Sequence, residues 1–167
     1  MKLGDGVEQA IHSVLMLASL KPQSVLAAAA LAEYHGVSPS YLLKHLQALS
    51  GAGVVEAVPG PTGGYRLARS PELISLLDIV LAVEGNEPAF RCAEIRQRGP
   101  NPLAGIPTMP CEINAAMLRA ERAWRTELGA VTLADIGQQV ANHDADGRIA
   151  ARRCAFLERR ERPQPTV

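Results

Sequence analysis

The chain has 167 residues, with 17 Lys and Arg against 17 Asp and Glu, so its formal charge is zero and nucleic-acid contact would need a local basic face, because no global positive field exists. Apolar residues make up 47% of it, enough for a real core, yet no run approaches the roughly 18 residues of a membrane span. Three cysteines, an odd number at this length, exclude a disulfide framework and leave reduced, cytosolic thiols as the expectation.

The opening MKLGDGVEQAIHSV places acids and a histidine where a secretory leader needs an unbroken apolar run, so a cytoplasmic protein is expected. Val7, Ile11, Val14, Leu15 and Ala18 recur at helical spacing and predict an amphipathic helix over 6–20. Glu8 and His12 stand four apart on a neighbouring stripe of that helix. Taken alone they form an exposed acid–imidazole pair contributing about 0.2–0.5 kcal/mol to helix stability.

The Ala-rich stretch 25–35 predicts a second helix, stopped by Gly36. Ser38 caps a third, with Pro39 at its first position, where a missing N–H costs nothing. Leu42, Leu46 and Leu49 make its buried stripe. Ser40, Tyr41, Lys44, His45 and Gln47 are thereby turned outward, hydrogen-bonding and cationic groups of groove-reading size. Gly51 and Gly53 end the helix, Val54 to Val58 reads as a short strand, and Tyr65 to Leu67 as its partner across the turn cluster PGPTGG. Short helix pairs and Gly-rich hairpins also occur in plain α+β domains, but helix, tight turn, capped helix and hairpin in this order predict a winged helix-turn-helix. Its wing would lay Thr62, Gly63, Tyr65 and Arg66 along DNA phosphates.

Ser70-Pro71 is read as opening a further helix, with Leu73, Leu76, Leu77, Val80, Leu81 and Val83 inward and Gly85 as its stop, which completes a DNA-binding domain over 1–85. From Asn86 to Pro110 no periodicity is usable, and a loop of that length is either functional or disordered. It carries Cys92 beside Phe90 and Ile95 and leads to Cys111, which favours function over a disordered linker.

The segment EINAAMLRAERAWRTEL then predicts a long helix whose stripe of Ile113, Met117, Ala120, Trp124, Leu128 and Val131 faces a highly charged side. With the winged-helix core closed by other helices, pairing with a second subunit is expected, and a twofold dimer suits a palindromic operator. Packing back on its own domain is the alternative. Thr132 caps a short helix to Asn142, and residues 143–167 read as a frayed or weakly docked tail holding an incidental Cys154. The fold class expected is mainly α with a small β wing.

The segments VEQAIHSVLML, VSPSYLLKHLQAL, PGPTGGYRLAR and ISLLDIVLAVEG, followed by a cysteine loop and a long helix, resemble the IscR and NsrR group of winged-helix iron–sulfur transcription regulators. The resemblance runs from about residue 2 to 142. Better-known members carry three closely spaced cysteines in the loop, whereas here Cys92 is followed by none until Cys111. With Glu8 and His12 present, the pattern is similar to the RsrR-type subgroup, whose [2Fe–2S] cluster has two Cys, one Glu and one His ligand. The resemblance implies that residues 86–111 are a cluster-binding loop and that Glu8 and His12 of one subunit, with Cys92 and Cys111 of the other, are the cluster's ligands. It implies a redox-sensing DNA-binding regulator, read as a repressor. Replacing two thiolates by a carboxylate and a neutral imidazole makes the site less negative, which should ease reduction.

Other readings stay open at this point. Cys92 and Cys111 could form a thiol–disulfide switch, and the same four side chains also suit tetrahedral zinc. A winged helix used only for protein contacts would agree with the neutral charge. No nucleophile–base pair suggests an enzyme.

Overall fold

The structure is a computed structural model that describes residues 3–98, 100 and 111–164. Much of the cluster loop expected over 86–111, namely residue 99 and 101–110, therefore lies outside the described residues.

Helix α1 (Asp5–Leu17) buries Val7, Ala10, Val14 and Leu17, one side of a 3.6-residue period. Glu8 and His12 are left on its exposed side. A two-residue strand β1 (Ser24–Val25) leads into α2 (Ala28–His35), and Gly36 closes that helix in the left-handed conformation at φ 67°. Helix α3 (Pro39–Gly51) follows within three residues, with Leu42, Leu46 and Leu49 fully buried. Ser38 occupies its cap position, but the hydroxyl lies 3.1 Å from that of Ser40 and makes no bond to the helix backbone.

Strands β2 (Val55–Val58) and β3 (Gly64–Leu67) pair antiparallel as the wing, with Glu56 opposite Arg66 and Ala57 opposite Tyr65. Leu26 exchanges both backbone hydrogen bonds with Tyr65, at 3.0 and 2.9 Å, which ties the wing to the entrance of α2. Only glycine fits at 64 in this crossing, since a Cβ there would stand 2.6 Å from the Leu26 carbonyl oxygen.

The next helix starts later than Ser70-Pro71. Residues Pro71–Leu73 make one 3₁₀ turn with Leu73 66% exposed, and α4 (Leu76–Glu84) begins at Ser75. Ser75 accepts from the Asp78 N–H while Asp78 accepts from the Ser75 N–H, a reciprocal cap that Ser70-Pro71 does not provide. Ile74 stays extended and buried, so that Leu133 N–H can donate to its carbonyl at 2.8 Å and Leu76 N–H to Val131 at 2.9 Å.

Helix α5 (Glu112–Ala130) packs along α4 and has no fully buried residue. Helix α6 (Leu133–His143) starts at a second reciprocal cap between Thr132 and Asp135. Residues 148–164 do not fray. Helix α7 (Arg148–Arg160) brings Phe156 and Leu157 into the core, and β4 (Arg162–Pro163) pairs antiparallel with β1. Two apolar side chains and a strand edge outweigh the basic, Pro-containing composition on which a loose tail was expected. Among the described residues no helix is long and apolar enough to cross a membrane.

Candidate nucleic-acid interface and ligand residues

Burial of the three leucines of α3 leaves Ser38, Ser40, Tyr41, Lys44 and Gln47 exposed around it. His45 differs from its expected outward position. Its ring is half-buried against α1 at Gly6, where an added Cβ would stand 2.6 Å from Nε2, and it meets Tyr41 edge-on at 4.6 Å. The helices cross so closely because position 6 has no side chain. His45 Nε2 is buried with no partner among the described residues. Burial pushes the imidazole below its ordinary value, the Glu84 carboxylate opposes this, and Lys44 adds to it.

On the wing, Thr62 is exposed at the turn and Gly63 is buried, donating its N–H to the Gly60 carbonyl at 3.0 Å. Tyr65 is half-buried behind its pairing with Leu26. Arg66 donates to Glu56 across the strands at 2.8 Å, a bond that holds the carboxyl below the usual range and the guanidinium above it. The cation expected to face phosphate is thus already partnered.

Glu8 and His12, one turn apart on α1, line a common concavity of about 420 Å³ with Asp5, Gln9, His35 and Val37. His35 is the neighbour that the sequence did not mark, because a histidine in the last turn of an Ala-rich helix reads as a C-terminal cation. Its ring centre is 5.8 Å from that of His12, and its Nε2 is buried without a partner among the described residues. Burial, then the charges of His12 and Arg152, push it below its ordinary value.

Cys92 is exposed, in a segment whose start is pinned to α5: Arg125 donates to the Asn86 side chain and carbonyl, and Ala89 N–H to Glu121 at 3.1 Å. Cys111 is partly exposed and occupies the cap position immediately before α5, one residue from Glu112, which lies 3.9 Å from Arg96. Cys154 is exposed on α7. Helix α1 brings Glu8 and His12 together, but within one chain no group of three or more His, Cys, Asp or Glu among the described residues can hold a metal ion. By chemistry, two thiols, a carboxylate and an imidazole fit a [2Fe–2S] core or tetrahedral zinc, and all four are open to solvent at least in part.

The depressed histidines set a sign. Above about pH 6.5 both states are neutral at these rings; as pH falls below it, the unfolded chain binds protons that folded His35 and His45 resist. Stability should therefore be full at pH 7.5 and decline through the window from pH 6.5 down to the lowered folded values. Urea midpoints at pH 7.5 and 5.5 check this, and His45→Gln should shrink the difference.

A helix-turn-helix with polar and cationic groups on its second helix, followed by a wing and a long helix, defines a winged helix-turn-helix DNA-binding transcription regulator. The chain belongs to the Rrf2 family, described as iron-dependent transcriptional regulators, which it matches over residues 3–139. It is 32% identical over 139 residues to YffB of Lactococcus lactis, described as an HTH-type transcriptional regulator, covering 83% of this chain and 88% of that one. Its fold is similar to that of T. potens IscR, at 22% identity and a TM-score of 0.65 over 86% of this chain and 91% of that one. It is also similar to the oxidised form of Staphylococcus aureus CymR, at 25% identity and a TM-score of 0.60 over 82% and 96%. The family and YffB are described as transcriptional regulators, and the chain is a DNA-binding regulator and not an enzyme.

Proposed function

We propose that this regulator is a cytoplasmic homodimer that represses from a palindromic operator, its DNA affinity set by a [2Fe–2S] cluster held by Glu8 and His12 of one subunit and Cys92 and Cys111 of the partner subunit. The observation that carries this reading is that Glu8 and His12 share one concavity on α1, while Cys92 lies in the segment before α5 and Cys111 at that helix's cap position, and among the described residues no single chain gathers three such donors. The family description as iron-dependent supports iron at this set. The absence of any fully buried residue along the 19 residues of α5 supports a second subunit against it.

A bound cluster supplies a one-electron couple whose potential follows its ligands and their hydrogen bonds. The chain's own part is to hold and relay. Glu8 and His12 present a carboxylate and an imidazole from one rigid helix and would hold the group from that side. Helix α1 also touches α3 through Gly6 and His45. A change in what Glu8 and His12 bind therefore acts on the recognition helix, shifting an equilibrium between two arrangements of the α3 pair.

The test is the visible spectrum of protein purified without oxygen, with iron and acid-labile sulfide assayed on the same sample. Charge-transfer bands with iron and sulfide near parity, lost or displaced in His12→Ala and Cys92→Ala, are expected. Operator affinity at fixed salt should differ among oxidised, reduced and cluster-free protein; equal affinities would sink the sensing role.

A second reading has an observation of its own, since both thiols are accessible and a similar structure is of an oxidised form. In it Cys92 and Cys111 form a thiol–disulfide switch without metal. Glu8→Ala separates the two, because a disulfide switch would not respond to it, and a colourless protein holding zinc would move the same four ligands to a zinc sensor.

A further inference from the structure

Residues 148–164 lie beyond the family match, which ends at residue 139. Residues 148–164 contain six arginines and two glutamates, leaving 11 basic against 15 acidic groups in the rest of the chain. In a protein of zero formal charge, this is where positive charge is concentrated. Its end is delivered to the wing. Pairing of β4 with β1, together with the Gln164 N–H bond to the Gln23 carbonyl at 3.0 Å, carries residues 162–164 alongside the turn of the hairpin.

There three successive carbonyls accept hydrogen bonds from this segment. Arg162 Nη1 donates to Pro61 and to Gly63, both at 3.3 Å, and Gln164 Nε2 donates to Thr62 at 2.9 Å. Bare, those carbonyl oxygens would turn their negative ends toward any phosphate that approached the turn. Arg162 covers two of them with a cation. It is exposed, and among the described residues no carboxylate pairs with it and neither Nε nor Nη2 has a partner. A guanidinium bound through one nitrogen keeps a fork of donors matched to a phosphate. Arg66, by contrast, is committed to Glu56.

We infer that Arg162 is a DNA-phosphate contact, so that the C-terminal strand is part of the wing's DNA-binding face. This rests on the wing lying along the DNA backbone. The experiment uses the full chain and a mixed-sequence DNA duplex, with affinity measured across a series of salt concentrations. Each phosphate neutralised contributes about 0.9 to the slope of log K against log salt. Arg162→Gln is expected to lower the slope by about 0.9 per bound chain, Arg162→Lys to restore it, and Gln164→Ala, which removes a neutral strut, to leave it unchanged. An unchanged slope in Arg162→Gln overturns the inference even where affinity falls, since the residue would then only hold the turn. Thr62→Glu tests the underlying placement. If it weakens binding while Arg162→Gln keeps the slope, the phosphate contact alone fails; if it has no effect, the wing is away from DNA and both fail.

Discussion

If the chain forms the proposed dimer, replacing Ile113 and Met117 together by Glu is expected to convert it to a monomer and weaken binding to a palindromic operator by about 10²- to 10⁴-fold, the gain that a linked second half-site provides. Ile113 is 64% and Met117 44% exposed in the single chain, so the charges should leave the fold of each subunit intact. At a twofold interface each substitution appears twice, and the carboxylates would be desolvated beside one another. Sedimentation equilibrium reads the first effect and DNA titration the second. The same variant replaces none of the four proposed ligands, yet it should also lose iron and sulfide if the donors come from two subunits. A monomer that retained both would overturn the shared site.

Leu46→Ala should destabilise the protein by about 2–5 kcal/mol, a large share of the roughly 5–15 kcal/mol that a domain has. Leu46 has no exposed surface and belongs to the single core that joins α1, α3, the wing and α7, so the vacated volume cannot be filled by water or by a local shift. The urea midpoint should fall with an unchanged slope. Lys44→Ala, two residues away and exposed, is the contrasting case: stability should move within about 0.5 kcal/mol, and DNA affinity should fall instead.

Both predictions depend on features that were readable in very different degrees. The stripe of Leu42, Leu46 and Leu49 is a period of 3.6 within one helix, and Gly36 and Pro39 punctuate its approach; such signals are local, and the structure has α3 and the wing within a residue of the expected limits. The long helix from Glu112 was equally legible, together with its apolar stripe. The start of α4 was misplaced because Ser70-Pro71 and Ser75-x-x-Asp78 are both plausible starts, and the choice fell to Ile74, whose extended backbone pairs with the stretch joining α5 to α6.

By itself, then, the sequence determined helices α1 to α3, the hairpin, and helices α5 and α6, because each is encoded in spacing along a single element. Tertiary structure decided the rest. Whether His45 faces a groove or Gly6 depends on how two helices cross, and that His35 stands beside His12 depends on how α1 meets α2. Residues 148–164 look like a charged, Pro-ended tail in isolation, but two buried side chains and a strand pairing 137 residues away hold them on the fold and bring Arg162 to the wing. Contacts between residues so distant in sequence leave no periodicity to read, since they form only when the core they complete is already assembled.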